Sequence, residues 1–224
     1  GTFGHSVIWG WPSNDAVTPT QTLPGGGGFS AIGSQLTVNI NGDNSELAWG
    51  ESAGDVGSRI LGPLKFGSGS SNAKTLWVNP VDLAGLGTAG MSRTITVSGG
   101  AGGDSTEMSG VIRNTGVDID LTKNGTGTLI LSAANTYGGT TTVSAGKLLA
   151  NNTSGSATGT SAITIASGAT LGGTGTVSGA VVNNGIIAPG AGVGTLRIGG
   201  GLTNGANSSW SIELSGALAD HGKY

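Results

Sequence analysis

LTKNGTGTLILSAANTYGGTTTVSAGKLLAN, residues 121–151, sets short apolar pairs between Gly, Asn, Ser and Thr and carries only two charged side chains, Lys123 and Lys147. Leu129 and Leu131 stand two residues apart, the spacing that puts both on one face of an extended strand. A segment this polar and glycine-rich cannot bury a face alone, so it needs similar segments stacked above and below it. Such segments recur. Apolar residues at i and i+2 return as Val38/Ile40, Ile95/Val97, Ile119/Leu121, Ile163/Ile165, Leu196/Ile198 and Ile212/Leu214, and further strand centres fall near Val143, Val177 and Ile187. Period-2 alternation marks half-buried strands. Their irregular spacing, about 10–20 residues, disfavours a strict hexapeptide solenoid and suits a right-handed parallel β-helix, whose turns vary in length while their strands stack.

Composition supports an all-β reading. Glycine is 46 of 224 residues, three times the average of roughly 7%. Gly costs about 1 kcal/mol relative to Ala inside a helix, and no glycine-free window of helical length carries a 3.6-residue apolar stripe. The chain has no cysteine, so disulfides and thiolate metal sites are excluded. Charged residues are 9% of the chain and the net charge is −3. The nine basic residues are scattered singly, which argues against nucleic acid as a partner. No apolar run approaches the length of a membrane-spanning helix. The chain begins on Gly1 rather than Met, and we read it as a processed or excised product from which any signal peptide is gone.

Three stretches differ in texture. Residues 1–28 form an N-terminal strand and linker arm: HSVIWGW (5–11) puts Val7, Trp9 and Trp11 on one face, and a tether rich in Pro and Gly follows. This arm either caps its own domain or reaches another subunit. Residues 29–224 are read as the β-helix, with irregular coils over 29–116 and repeat-like coils over 117–215. LAWGE (47–51), ILGPLKFGS (60–68) and KTLWVNPVDL (74–83) look like strands with longer loops, and a separate small β domain is the alternative for this part. Pro63 and Pro80 must lie at strand ends, edges or bulges because Pro cannot donate to a ladder.

The block at 121–151 resembles the passenger-associated transport repeat, also called the autotransporter-associated β-strand repeat. The resemblance rests on Leu121-Thr122-Lys123, Gly125–Thr128, Leu129, Leu131, Ala134-Asn135-Thr136-Tyr137, Gly139–Thr142, Val143, Gly146 and Leu148. RTITV (93–97), MSGVI (108–112) and ATLGGTGTVSGAVVNNGIIAPG (169–190) resemble the usual surroundings of such repeats. The resemblance implies a parallel β-helix exported to the cell surface or beyond. It brings no shared catalytic residues.

In a parallel coil, Leu, Ile and Val point inward and stack, while Gly and Asn turn the corners, where φ > 0 is needed. Asn114, Asn124, Asn135, Asn151, Asn183 and Asn204 fit corners and could stack as amide ladders. Asn-Gly, the strongest two-residue hairpin signal, occurs at 41–42, 124–125, 184–185 and 204–205. AVVNNGIIA (180–188) could therefore be a hairpin, and an antiparallel β-sandwich is the alternative fold.

No catalytic residue and no cofactor is expected. Carboxylate chemistry needs positioned Asp or Glu, and residues 121–212 contain neither. Three aspartates are weak metal candidates. Asp104 lies in GGAGGDSTE (99–107), a single copy of a calcium-repeat pattern whose next apolar position holds Thr106. Asp118 and Asp120 share one strand face and otherwise read as solvated. Trp49, Trp77 and Trp210 could line a sugar-binding surface or fill the core. WSIELSG (210–216) is a strand signal, and no amphipathic helix follows it to cap the last coil. An open β edge templates pairing with another chain. We therefore expect a secreted, non-enzymatic structural protein at the cell surface or outside the cell. Its copies would assemble head to tail as a homo-oligomeric filament or surface layer, with Val7, Trp9, Trp11, Trp210, Ile212 and Leu214 at the contact. The rival readings are an adhesin passenger fragment that binds surfaces or glycans, and a polysaccharide-binding or -degrading β-helix.

Overall fold

The computed structural model describes residues 28–50, 59–60, 62–85, 90–100, 102, 104–190 and 192–214. No helix occurs among them, and the 22 strands are two to six residues long. All strand pairs are parallel. The chain is a parallel β-helix.

Its first three turns have strands on three sides. Turn one holds β1 (Gly28–Phe29), β2 (Leu36–Val38) and β3 (Leu47–Trp49), and β4 (Arg59–Ile60) stacks on β3 on the side away from turn two; turn two holds β5 (Leu64–Phe66), β6 (Lys74–Trp77) and β7 (Val81–Asp82). Turn three holds β8 (Ser92–Val97), β9 (Ser105–Met108) and β10 (Ile112–Arg113). Turns four and five have two strands each, β11 (Asp120–Asn124) with β12 (Thr128–Leu131), then β13 (Thr141–Val143) with β14 (Lys147–Ala150). Turn six holds β15 (Ile163–Ile165), β16 (Thr170–Gly173) and β17 (Thr176–Val177); turn seven holds β18 (Val181–Asn183), β19 (Ile186–Pro189) and β20 (Arg197–Ile198). Turn eight ends the described stack with β21 (Leu202–Asn204) and β22 (Ser209–Trp210).

Two eight-stranded sheets run unbroken through the stack, one from β1 to β21 and the other from β2 to β22. The third side carries the order β10-β7-β3-β4 low in the stack and the pair β17-β20 near its top. Pro63 and Pro80 sit immediately before β5 and β7, where no ladder N–H is required. The early turns are longer than the later ones, whose lengths vary without a trend. Gly28 pairs with Lys65, 37 residues on, Leu64 with Ile95, Leu121 with Thr141, and Ile163 with Val181, 18 residues on.

Register places like on like. On the first sheet the inward column runs Leu64, Ile95, Lys123, Val143, Ile165, Asn183, Asn204. On the second it runs Thr75, Thr106, Leu129, Leu148, Leu171, Ile187, Trp210. The outward column of the first sheet is mostly threonine: Thr94, Thr122, Thr142, Thr164, Val182, Thr203. The wide early turns are filled by aromatics. Phe29, Phe66 and Trp77 pack with ring centroids 5.9–6.3 Å apart, and Trp49 lies buried beside them in the same core.

Three expectations need correction. The sandwich alternative fails because strands flanking an Asn-Gly pair belong to different sheets: β18 and β19, on either side of Asn184-Gly185, do not pair with each other. Asn-Gly here turns a corner. Second, left-handed backbone at the corners falls almost wholly to glycine. Among described non-glycine residues only Asn41 (φ 68°) and Asn44 (φ 58°) adopt it. At Gly146 (φ 67°) an added Cβ would lie 2.4 Å from the Gly125 carbonyl oxygen, so both conformation and space require glycine. The corner asparagines instead tie turns together through their amides. Ile112 N–H donates to Asn135 Oδ1 (2.7 Å) while Asn135 Nδ2 donates to the Ala157 carbonyl (2.6 Å), joining three turns, and buried Asn183 donates through Nδ2 to Oδ1 of the exposed Asn204 on the next turn (3.0 Å). Third, the strand expected over 210–216 stops at Trp210. Its neighbour β19 ends in Pro189, which has no N–H to extend the ladder.

Leu129→Ala, which removes a fully buried inward side chain, should cost about 2–5 kcal/mol. Thr142→Ala, on the outward column, should stay within about 0.5 kcal/mol. Urea unfolding followed by circular dichroism checks both, and equal losses would contradict the assignment of inside and outside.

Candidate functional surface

Most of the described carboxylates are bonded into the frame; Glu213, which is exposed, is not among them. Asp104 Oδ2 accepts hydrogen bonds from Ser71 Oγ (3.0 Å) and Gly100 N–H (2.9 Å). Asp120 Oδ1 accepts from Thr140 N–H (2.7 Å) and Oγ1 (2.9 Å) on the next turn, and Asp118 Oδ1 accepts from Asn114 Nδ2 (3.2 Å). Asp118 and Asp120 lie together, whereas Asp104 sits a turn earlier before β9, and among the described residues no three metal-ligating side chains converge. Burial pushes the Glu107 carboxyl up, but hydrogen bonds from Lys74 (2.7 Å) and Ser132 (2.8 Å) outweigh it and hold it below the usual carboxylate range. Asp82 follows the same pattern: burial raises it, and hydrogen bonds from Thr115 and the Ala84 N–H, with the Arg113 charge, bring it below its ordinary value.

Trp49 and Trp77 do not form a sugar platform. Both are buried, their indole N–H groups donating to the carbonyls of Gly62 (3.0 Å) and Asn79 (2.8 Å). Thr106, the departure from the calcium-repeat pattern, is buried in the second sheet's inward column.

One buried group is a surprise of the structure. Lys123 occupies the inward column between Ile95 and Val143 and is fully buried. Its Nζ donates to the carbonyls of Asn124 (3.1 Å), Gly125 (2.7 Å) and Ala145 (2.8 Å), stitching two successive corners together. Burial pushes its ammonium down to about 8; the three carbonyls oppose that shift by favouring the charged form. Arg93 is a second inward cation, donating to the carbonyls of Leu83 (3.1 Å) and Trp49 (2.9 Å). A signal for both lay in the sequence: Arg93 is in phase with Ile95 and Val97, and Lys123 with Leu121. Period-2 phase outranked residue type.

Large apolar side chains are exposed at several places, among them Ile32 in the first turn, Val193, and a group on the last described turn. Trp210 is 46% exposed, Ile212 60% and Leu214 70%. Val7, Trp9 and Trp11 lie outside the described residues. On the outer face of the second sheet, beside this turn, Lys147, Leu149, Ala188, Pro189 and Glu213 border an open groove of about 540 Å³.

Comparison with known proteins agrees with this architecture. The passenger-associated-transport-repeat family matches residues 121–150, which form the strands of turns four and five, so the chain carries that repeat as the sequence led us to expect. The adhesin BmaC autotransporter of Brucella suis biovar 1 (strain 1330) is 34% identical over 151 residues, covering 62% of this chain and 4% of that protein. The chain thus spans a small part of the length of this relative. No solved structure matches it.

Lys123 gives a pH test. Its ammonium gives up its proton at about 8 in the fold against 10.5 free in water. Between those values the unfolded chain binds more protons, so stability rises with pH, by on the order of 3 kcal/mol at most for a shift of this size. Urea titrations from pH 7 to 11 should show that rise in the native protein and lose it in Lys123→Met. Identical pH slopes in the two proteins would rule out a depressed lysine.

Proposed function

We propose, on the premise that residues 121–150 are a passenger-associated transport repeat, that this chain is a segment of a secreted passenger displayed at the cell surface or released from it. Its role there is structural and adhesin-like. The observation that carries the reading is that the repeat is no isolated motif. It forms two turns of a ladder that continues without a break on both sides, so the chain is a rigid rod of stacked turns. The resemblance to an autotransporter adhesin supports the same reading. Non-enzymatic action is supported by the absence of Asp and Glu from 121–212 and by the hydrogen bonds that tie Asp82, Asp104, Glu107 and Asp120 into the frame. Adhesion to a glycan or another surface uses outward residues of the rod, which the inward columns only hold in place.

The localisation is tested on intact cells. Antibodies raised against the purified chain should label unpermeabilised cells or the culture medium, and external protease should remove the label. A signal seen only after lysis would overturn the reading.

A second reading, end-to-end association into a filament or layer, is favoured by one observation. The inward column of the second sheet ends in a half-exposed tryptophan. Under this reading the purified chain sediments as species larger than a monomer, and Trp210→Lys shifts the distribution toward monomer. A wild-type protein that stays monomeric at its highest soluble concentration would remove it.

A further inference from the structure

The Asn-Gly pairs at 41–42, 124–125, 184–185 and 204–205 are bonded differently by the corners they turn. Gly185 N–H donates to Oδ1 of Asn183, not to the asparagine of its own pair (3.0 Å). Gly205 N–H is held in the ladder by the Asn183 carbonyl (2.7 Å), and the side-chain amide of Asn41 donates to Ser45 Oγ (3.2 Å). At 124–125 the glycine turns onto its own partner: Gly125 N–H donates to Asn124 Oδ1 (2.8 Å). The side-chain carbonyl carbon is bonded directly to that oxygen, so the nitrogen faces the one carbon it is able to attack, the arrangement that an intramolecular reaction requires.

Two features of this corner favour the reaction. Lys123 Nζ donates to the Asn124 carbonyl (3.1 Å), which belongs to the same peptide group as the Gly125 nitrogen. When that N–H gives up its proton, negative charge develops on the carbonyl oxygen, where the ammonium already stands to receive it. Asn124 itself is exposed, so water and hydroxide reach it.

We infer that Asn124-Gly125 is a self-modifying corner, in which the Gly125 nitrogen displaces ammonia from the Asn124 side chain and Lys123 activates that nitrogen. The bond from Gly125 N to Asn124 Cγ forms, the bond from Cγ to Nδ2 breaks, and the Gly125 proton leaves with the amide as ammonia by way of water. The product is a succinimide. Water then opens the ring at either carbonyl and leaves aspartate or isoaspartate at 124. One water is consumed and one ammonia released, and no oxidant or cofactor takes part. Aspartate sets a new carboxylate on the corner, one residue from the buried ammonium. Isoaspartate routes the main chain through the side chain and adds a carbon between β11 and β12. The corner is tight there, since a Cβ built on Gly125 meets the Val97 carbonyl oxygen at 2.4 Å.

The purified chain is incubated in warm neutral buffer beside a sample unfolded in guanidinium chloride, and aspartate and isoaspartate are mapped by peptide mass spectrometry. In the unfolded chain the four pairs should react at similar rates, because they share one dipeptide. In the fold, the product at 124 should lead those at 41, 184 and 204 and form faster than in the unfolded chain. Another pair in the lead, or an Asn124 no faster in the fold than out of it, overturns the inference. Lys123→Met, with far-UV circular dichroism to confirm an intact stack, should slow the Asn124 reaction about tenfold, the lower end of what a hydrogen bond to a charged group is worth. The pH profile of the native chain is the second measurement, and it decides alone where Lys123→Met loses the stack. The native rate should level off as the pH passes about 8, where Lys123 gives up its charge, while the unfolded rate keeps rising with hydroxide. A native profile that rises without a break, or a folded Lys123→Met that reacts at the native rate, overturns the part given to Lys123.

Discussion

The hydrogen bond from one turn to the next is the interaction on which everything else depends. Each strand is too short and too polar to persist alone, and its N–H and C=O groups find partners only in the turns above and below. Gly127 N–H donates to the Val97 carbonyl (2.8 Å), Lys147 N–H to the Gly127 carbonyl (3.2 Å) and Thr170 N–H to the Gly146 carbonyl (2.9 Å), so one corner is bound to the next through the stack. Apolar burial follows from that register. Leu129 is covered by Leu148 because their strands pair, and the glycines between strands let corners approach to distances that a Cβ would forbid.

A fold held this way tolerates polar residues inside, provided that they bond along the stack axis. Asn135, Asn183, Lys123 and Arg93 all do so. Each bonds backbone or amide groups of a neighbouring turn. Burying a cation costs solvation, and the corner offsets part of it with carbonyl oxygens that accept from the ammonium. The acidic residues work from outside: Asp120 braces the turn that follows it, and Glu107 is bonded by Lys74 below and Ser132 above. These side chains are spent on architecture, and the chemistry of the surface is left to threonine and other small groups.

Much of this was legible in the sequence, for a physical reason. Period-2 alternation is a local property, so Ile95/Val97, Leu129/Leu131 and Ile163/Ile165 declared their strands without tertiary information. The choice between β-helix and sandwich was harder. Asn-Gly signals a change of direction without saying whether the next strand returns to its neighbour or passes to another sheet, and only the parallel ladder resolves that. The inward place of Lys123 shows in its phase with Leu121, although its charge alone points outward. Ile212 and Leu214 have the alternation of a strand, yet they lack one because pairing depends on the neighbouring strand, which ends in Pro189. The candidate surface was legible only as composition. Trp210 could be named, but its half-open state could not be told from the buried state of Trp49 and Trp77.

The direction of the ladder bonds gives the rod a mechanical character. They run along its axis, so a pull between its ends loads them lengthwise and breaks them one turn at a time. A turn of 20 residues, such as that from Leu121 to Thr141, releases about 65 Å of chain when it peels away, in place of the roughly 4.8 Å that it occupied in the stack. A surface fibre made of such turns yields under load by paying out length while the remaining turns stay folded. It would dissipate a sudden tug without letting go.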